Sequence, residues 1–281
     1  MILIFVGLGL FRAGVFGAIG ELGMELQLVA HCAMAVAACV IVLWLISVRI
    51  QDVSIADIWW GPGFALIVWV ASYDQSPNPL RFYLTAGVVS AWGVRLGTYL
   101  WSRNVGGPED ARYQAMRAKR EGFWWTSLWT VFLLQGGLQV LISLPLYAVA
   151  QFNNPWSWLD MLGIGLAASG VLIEAVSDAQ LARFKSNPES KGRVMDEGLW
   201  GWSRHPNYFG NATLWAGLGC LGLAAGGPWW VLTGPAIMLF LLLRVSGVAL
   251  LESTIVERRP EYIDYIERVP GFFPRPPRSS S

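Results

Sequence analysis

The chain has 281 residues, and only 14 % of them are Asp, Glu, Lys or Arg, against about 25 % in soluble domains, while 54 % are hydrophobic. Its apolar runs reach the roughly 20 residues a helix needs to cross a bilayer, so the composition excludes an ordinary soluble domain and predicts a polytopic membrane protein. A formal net charge of +1 offers no nucleic-acid footprint.

In chain order, apolar stretches cover residues 2–19, 27–47, 59–72, 80–101, 124–149, 159–177, 208–226 and 229–251. The first carries Arg12 and several glycines, but no basic region follows Met1 and further spans come directly after, so it reads as a membrane helix and not a signal peptide. Backbone polar groups in lipid must be satisfied within their own segment, and the runs lack the alternation of barrel strands. The fold class predicted is therefore all-α, a membrane bundle of seven or eight transmembrane helices. Residues 1–273 form a single domain, and the Pro/Ser-rich stretch 274–281 reads as a disordered tail.

The connections separate by charge. Segment 102–123 holds Arg103, Arg112, Arg117, Lys119 and Arg120; segment 178–207 holds Arg183, Lys185, Lys191, Arg193 and Arg204; the chain after 251 holds Arg258, Arg259, Arg268, Arg275 and Arg278. Segments 73–79 and 150–158 and the Gly226-Gly227-Pro228 turn hold no Lys or Arg. The positive-inside rule places the basic side and the C-terminus in the cytoplasm. Tryptophans crowd the span ends (Trp59-Trp60, Trp124-Trp125, Trp156, Trp158, Trp229-Trp230), as in interfacial aromatic belts.

Some patterns imitate chemistry. Gly217-Leu-Gly219-Cys-Leu-Gly222 matches the dinucleotide fingerprint, but it lies within an apolar stretch with no preceding strand, so it reads as a close-packing face, as does Gly163-x-Gly165. Cys32, Cys39 and Cys220 include no C-x-x-C pair, and with only His31 and His205 to add, no zinc ligand set assembles; no metal is expected.

Ionisable residues inside spans are costly and by default mark a functional interior. Arg95, Glu174, Asp178 and Arg244 lie in or at the edge of apolar stretches, with Asp57, Arg103 and Glu252 near other ends. Glu174 and Asp178 are four apart and share a helix face, Arg95, Tyr99 and Arg103 repeat every four, and Arg244 and Glu252 are eight apart. These stripes are either interhelical pairs, such as Arg95 with Glu174, or walls of a polar cavity open to the cytoplasm. A cavity rich in Arg and Lys suits a ligand with several phosphates, such as NADPH, better than S-adenosylmethionine, a sulfonium cation with one carboxylate.

The segment Asp196-Glu197-Gly198-Leu199-Trp200-Gly201-Trp202-Ser203-Arg204-His205-Pro206-Asn207-Tyr208-Phe209-Gly210 resembles the C-terminal signature of the steroid 5-alpha-reductase family, most closely a bacterial branch of uncharacterised membrane proteins. Asp57-x-x-Trp60-Gly61, Glu109-Asp110-x-Arg112-Tyr113, Asp178-x-Gln180-x-x-x-Phe184-Lys185 and the stretch from Glu252 through Arg259-Pro260-x-Tyr262-x-x-Tyr265-x-x-Arg268 to Phe273-Pro274 extend it over residues 50–277. The R-H-P-x-Y-x-G element and the tail are also similar to isoprenylcysteine and phospholipid methyltransferases.

The resemblance implies an enzyme of a bacterial inner membrane. It would take NADPH from the cytoplasm into its C-terminal half and deliver hydride to a carbon-carbon double bond conjugated to a ketone in a steroid- or isoprenoid-like lipid. Carried over by position, Asn207 holds the nicotinamide end and Asp178 touches the cofactor. Lys185, Arg193, Arg204, His205, Tyr208, Arg244, Glu252 and Arg268 lie around it, and Arg95 and Arg103 fit the same cavity. Hydride attack builds negative charge on the carbonyl oxygen, so a donor there lowers the barrier; a protonated Asp57 or Tyr99 is the candidate. Trp60 and Trp92 would wall the lipid substrate. Trp92 stands where steroid-reducing members have a tyrosine and Asn211 where many relatives have Glu, departures that weigh against a steroid more than against NADPH. An S-adenosylmethionine-dependent membrane methyltransferase is the alternative. A non-enzymatic transporter or scaffold explains the helices but not the polar stretch 174–207.

Overall fold

A computed structural model describes residues 26–73, 75, 77–245 and 262–276, and within these every regular element is helical. The predicted stretch 2–19 and all of 246–261, Glu252 included, lie outside the described residues. α1 spans Leu26–Ile50, α2 Ile55–Ala71 and α3 Pro79–Asn104; a short α4, Ala111–Lys119, follows. Three helical runs, Leu26–Ile50, Phe123–Ile142 and Trp158–Ser186, are long and apolar enough to cross a membrane, and Ile55–Ala71 and Trp229–Val245 are shorter apolar helices. These features are those of a membrane protein.

The apolar stretch 124–149, read as one helix, is broken in the structure. It comprises α5 (Phe123–Ser127), a π-helical turn (Leu128–Leu133), α6 (Leu134–Ile142) and, after a break at Ser143, α7 (Leu144–Gln151). Pro145 explains the second break: it has no amide hydrogen to continue the ladder, and it is tolerated in the first turn of α7. α8 (Trp158–Ser186) runs nine residues past its predicted end, carrying Asp178 and Lys185 on continuous helix. Its start is fixed by Asp160, whose Oδ2 accepts the Ser157 amide at 2.7 Å. α9 (Pro206–Ala225) opens with proline at its first position and closes on Gly226 at φ +108°, a left-handed conformation that favours glycine. Next come a 3₁₀ turn at Trp229–Leu232, α10 (Thr233–Phe240) and a π turn at Leu241–Val245; α11 (Tyr262–Arg268) lies near the C-terminus.

α8 and α9 make the most extensive helix contact, and the sequence shows why. Gly163 and Gly170 of α8 meet Gly210 and Gly217 of α9, and a Cβ on Gly217 would lie 2.5 Å from both the Ala167 amide and the Gly163 carbonyl oxygen. The apparent dinucleotide fingerprint is thus a packing surface: Gly217 faces α8, Gly219 the side chains of Leu232 and Pro235, and Gly222 the backbone of Pro145. Gly165, also read as packing, meets nothing within 4 Å of its would-be Cβ and is no part of the seam.

Two ion pairs register α3 against α8. Arg81 at the start of α3 pairs with Asp160 at the start of α8, and fourteen residues further along each helix Arg95 pairs with Glu174. At 1.5 Å rise per residue the two contacts are about 21 Å apart, and the helices run parallel. The segments that follow them, 105–122 and 187–205, therefore emerge at one end of the bundle, as the charge distribution required.

Candidate functional site

At that end lies a cavity of about 960 Å³, near the upper limit of small-molecule sites, roughly 300–1,000 Å³. α3 contributes Tyr99 and Arg103, α4 and its N-cap contribute Arg112 and Asp110, and α8 contributes Asp178, Phe184 and Lys185. The connection after α8 adds Lys191, Arg193, Arg204 and His205, α9 adds Asn207 and Tyr208, and α11 adds Tyr262 and Tyr265. Arg103, Arg112, Lys185, Lys191, Arg193 and Arg204 against Asp110 and Asp178 make the lining strongly cationic.

Of the residues the sequence proposed, Tyr99, Arg103, Asp178, Lys185, Arg193, Arg204, His205, Asn207 and Tyr208 come together here. Arg95, Arg244 and Arg268 do not form part of its lining. Arg95 sits behind the wall: its Nη1 donates to Asp178 at 2.8 Å and its Nη2 to Glu174. Arg268 pairs with Asp196 at 3.1 Å, and Arg244 is exposed on the last described turn before residue 246. Arg204 has a structural duty as well, since its Nη1 donates to the carbonyls of Ile266 (3.0 Å) and Val269 (2.6 Å), tying the R-H-P segment to the end of α11.

The floor of the cavity is a network that draws in both Trp92 and Asn211. Asp178 accepts from Arg95 and, at 3.3 Å, from the Asn207 amide. Glu174, one turn deeper and buried, accepts from Arg95, from the Trp92 indole at 2.9 Å and from the Asn211 amide at 3.0 Å. Trp92 and Asn211 are thus partners of one carboxylate. Trp92 is fully buried, with Phe64 and Trp215 against its ring at 5.8 and 6.1 Å, so it walls no open site. Trp60 stacks edge-on against the same Phe64 at 5.4 Å.

The Gly-Leu-Trp-Gly stretch is pinned to α8 by the Leu199 amide on Gln180 Oε1 (3.1 Å) and the Trp200 indole on the Ser177 carbonyl (3.0 Å). His205 is buried, with its ring stacked on Tyr208 at 5.4 Å and 4°. The backbone at Arg275 donates to Trp202 at 3.0 Å, so the start of the expected tail is tied to this segment.

Asp57 occupies a separate cluster. Its carboxylate accepts from Arg112 (2.7 Å), the Tyr113 hydroxyl (2.6 Å) and Gln135 (3.0 Å). A carboxyl receiving three donors is an acceptor, and this arrangement does not suit the protonated, donating Asp57 expected from the sequence. Its cationic partner is Arg112, which the sequence reading left out of the site; the one signal was the Glu109-Asp110-x-Arg112-Tyr113 motif. Burial and then the Asp57 carboxylate push the Tyr113 phenol above its ordinary value, keeping its proton. Burial works against the Arg112 charge, but Asp110 and Asp57 more than offset it and raise its pKa. Lys191 and Gln135 were likewise missed, one hidden in a loop and the other in an apolar stretch.

The family described as "Protein of unknown function (DUF1295)" matches residues 43–269. The chain belongs to the DUF1295 family. The match takes in α2 to α11, and with them every element lining the cavity, so the site is a property of the DUF1295 region and not of an appendage. An uncharacterized protein of Schizosaccharomyces pombe is 26 % identical to this DUF1295 protein over 271 aligned residues, covering 83 % of this chain and 76 % of its own. No solved structure matches it.

Proposed function

We propose that this protein is an NADPH-dependent membrane reductase of a conjugated carbon-carbon double bond in a steroid- or isoprenoid-like lipid. The observation that carries the reading is the cationic cavity: six Arg and Lys side chains around a volume that suits a dinucleotide. Its position in a DUF1295 chain, a family associated with steroid 5-alpha-reductase-like proteins, supports the same reading.

The residues present fit the cofactor. Lys185, Lys191, Arg193 and Arg103 would hold its phosphates by charge-assisted contacts, and Asn207 with Asp178 would hold the nicotinamide amide, which needs both an acceptor and a donor. Bound there, NADPH supplies the hydride. The chain's own contribution is to orient the ring through the Arg95-fixed carboxylate of Asp178 and to offer a donor to the developing oxyanion. Tyr99, which lines the cavity, is the better of the two candidate donors, because Asp57 is already an acceptor. The full reading is a bundle of seven or eight spans in a bacterial inner membrane with cavity and C-terminus cytoplasmic; the sidedness rests on the positive-inside rule.

The test is turnover. Purified protein in lipid nanodiscs is mixed with NADPH and a panel of conjugated enone lipids, and the nicotinamide absorbance and the products are followed. Enone-dependent NADPH oxidation with a saturated ketone product is expected. Methyl transfer from S-adenosylmethionine to a lipid in the same nanodiscs, with no NADPH oxidation, would overturn the reading in favour of a methyltransferase.

A further inference from the structure

Arg112 stands between two sites. Its side chain lines the cationic cavity, and its Nη2 donates to Asp57 at 2.7 Å, outside that cavity, in the cluster with Tyr113 and Gln135. Its Nε and Nη2 also donate to the two oxygens of Asp110, at 2.9 and 3.2 Å. One guanidinium thus serves two carboxylates, and the triad carries a net negative charge although it borders a cavity otherwise rich in cations. The side chain is 43 % exposed, so it can shift toward a ligand without a large burial cost.

We propose that Arg112 is a shared cation: a phosphate-bearing ligand in the cavity and the Asp57 carboxylate compete for its guanidinium, so that filling the cavity loosens Arg112 from Asp57. The consequence is an order of events. A phosphate-bearing ligand that draws on Arg112 leaves Asp57 with the neutral donors Tyr113 and Gln135 and frees charge on that carboxylate for whatever enters beside it. By linkage, the coupling is reciprocal: anything that neutralises Asp57 must tighten the phosphate ligand by the same factor. The inference rests on the reading above only in needing the cavity to take a phosphate-bearing ligand, and not on hydride transfer.

The test is a double-mutant cycle on the full chain in detergent, with dissociation constants measured calorimetrically for two probes, inorganic pyrophosphate and NADPH. Asp57→Asn keeps an acceptor for Tyr113 but removes the charge that competes for Arg112. It should tighten both probes about threefold to fivefold, the equilibrium weight of a partly exposed ion pair. Asp110→Asn, which still caps α4, should tighten them in the same direction and serves if the first variant folds poorly. On an Arg112→Gln background, the effect of Asp57→Asn should vanish.

An Asp57→Asn effect that persists undiminished without Arg112 means the charge acts through space, and weaker binding in Asp57→Asn means Asp57 holds Arg112 in place for the ligand; either overturns the proposal. Coupling seen with pyrophosphate but no NADPH binding leaves the shared cation standing and refutes the reductase reading. Failure of both probes to bind overturns both.

Discussion

α3 and α8 meet through ions twice, and the two meetings differ in how fully they are closed. At one end Arg81 and Asp160 are both fully buried and saturated: Arg81 donates twice to Asp160 and to the carbonyls of Asn154 (3.0 Å) and Pro155 (3.2 Å), while Asp160 also accepts from Ser157. At the other end a single Arg95, 22 % exposed in its side chain, is divided between two carboxylates, one of which lines the cavity. A closed one-to-one pair with every guanidinium nitrogen bonded is a fastener, whereas an unequal cluster with one member facing a cavity can respond to a ligand. The same two helices thus supply a rigid end and a working end.

The largest effect should come from breaking the closed end. Arg81→Ala leaves Asp160 buried without its cation and should cost about 3–5 kcal/mol of stability, seen as a large drop in thermal unfolding temperature or a failure to accumulate in the membrane. Next come variants that leave the fastener alone: Lys185→Ala and Arg193→Ala should each weaken NADPH about tenfold, as lost charge-assisted contacts do, with unfolding temperature almost unchanged. If they unfold the protein instead, the two ends are not functionally distinct.

Glu174→Gln probes the boundary between the two roles. Gln keeps acceptors for Trp92 and Asn211 but surrenders Arg95 to Asp178, so a stability loss of about 1 kcal/mol should accompany a measurable change in cavity affinity. The smallest effect is a pH dependence at Glu109, next to the cavity residue Asp110 but outside the lining itself. Burial raises the Glu109 carboxyl, but Arg117 and the Val53 amide outweigh it and hold it below its ordinary value. A depressed folded pKa contributes stability that is present above the unfolded value near 4.3 and is lost as pH falls through the folded value. Glu109→Gln should therefore remove under about 1 kcal/mol of the acid-dependent loss, read from unfolding curves between neutral pH and the acid range.

The parts legible in the sequence were those written in composition and spacing. Apolar runs gave most helices, the separation of Lys and Arg predicted that 102–123 and 178–207 share an end, and the four-residue stripes of α3 and α8 left Arg95 with Glu174 as one of two readings, the other being a place for Arg95 in the cavity wall. What was hidden depends on partners far apart in the chain. Arg81 and Asp160 are 79 residues apart, and each looks like an ordinary charge at the edge of an apolar run. Asp57 was read as a donor to the substrate oxygen, but α4 swings Arg112 over it. Trp92 was given a place in the substrate wall by the resemblance alone, and only Glu174 across the interface shows why its nitrogen is turned inward. The break at Ser143 was in plain view as Pro145, concealed by the hydrophobicity around it.

The central claim is that the cationic cavity takes a dinucleotide, and the most direct measurement is thermal stabilisation of the detergent-purified protein by NADPH, NADH and S-adenosylmethionine, since a ligand that binds only the folded state raises its stability. The account predicts concentration-dependent stabilisation by NADPH, weaker for NADH and lost in the Lys185→Ala, Arg193→Ala double variant. Stabilisation by S-adenosylmethionine alone, untouched by those substitutions, would contradict it.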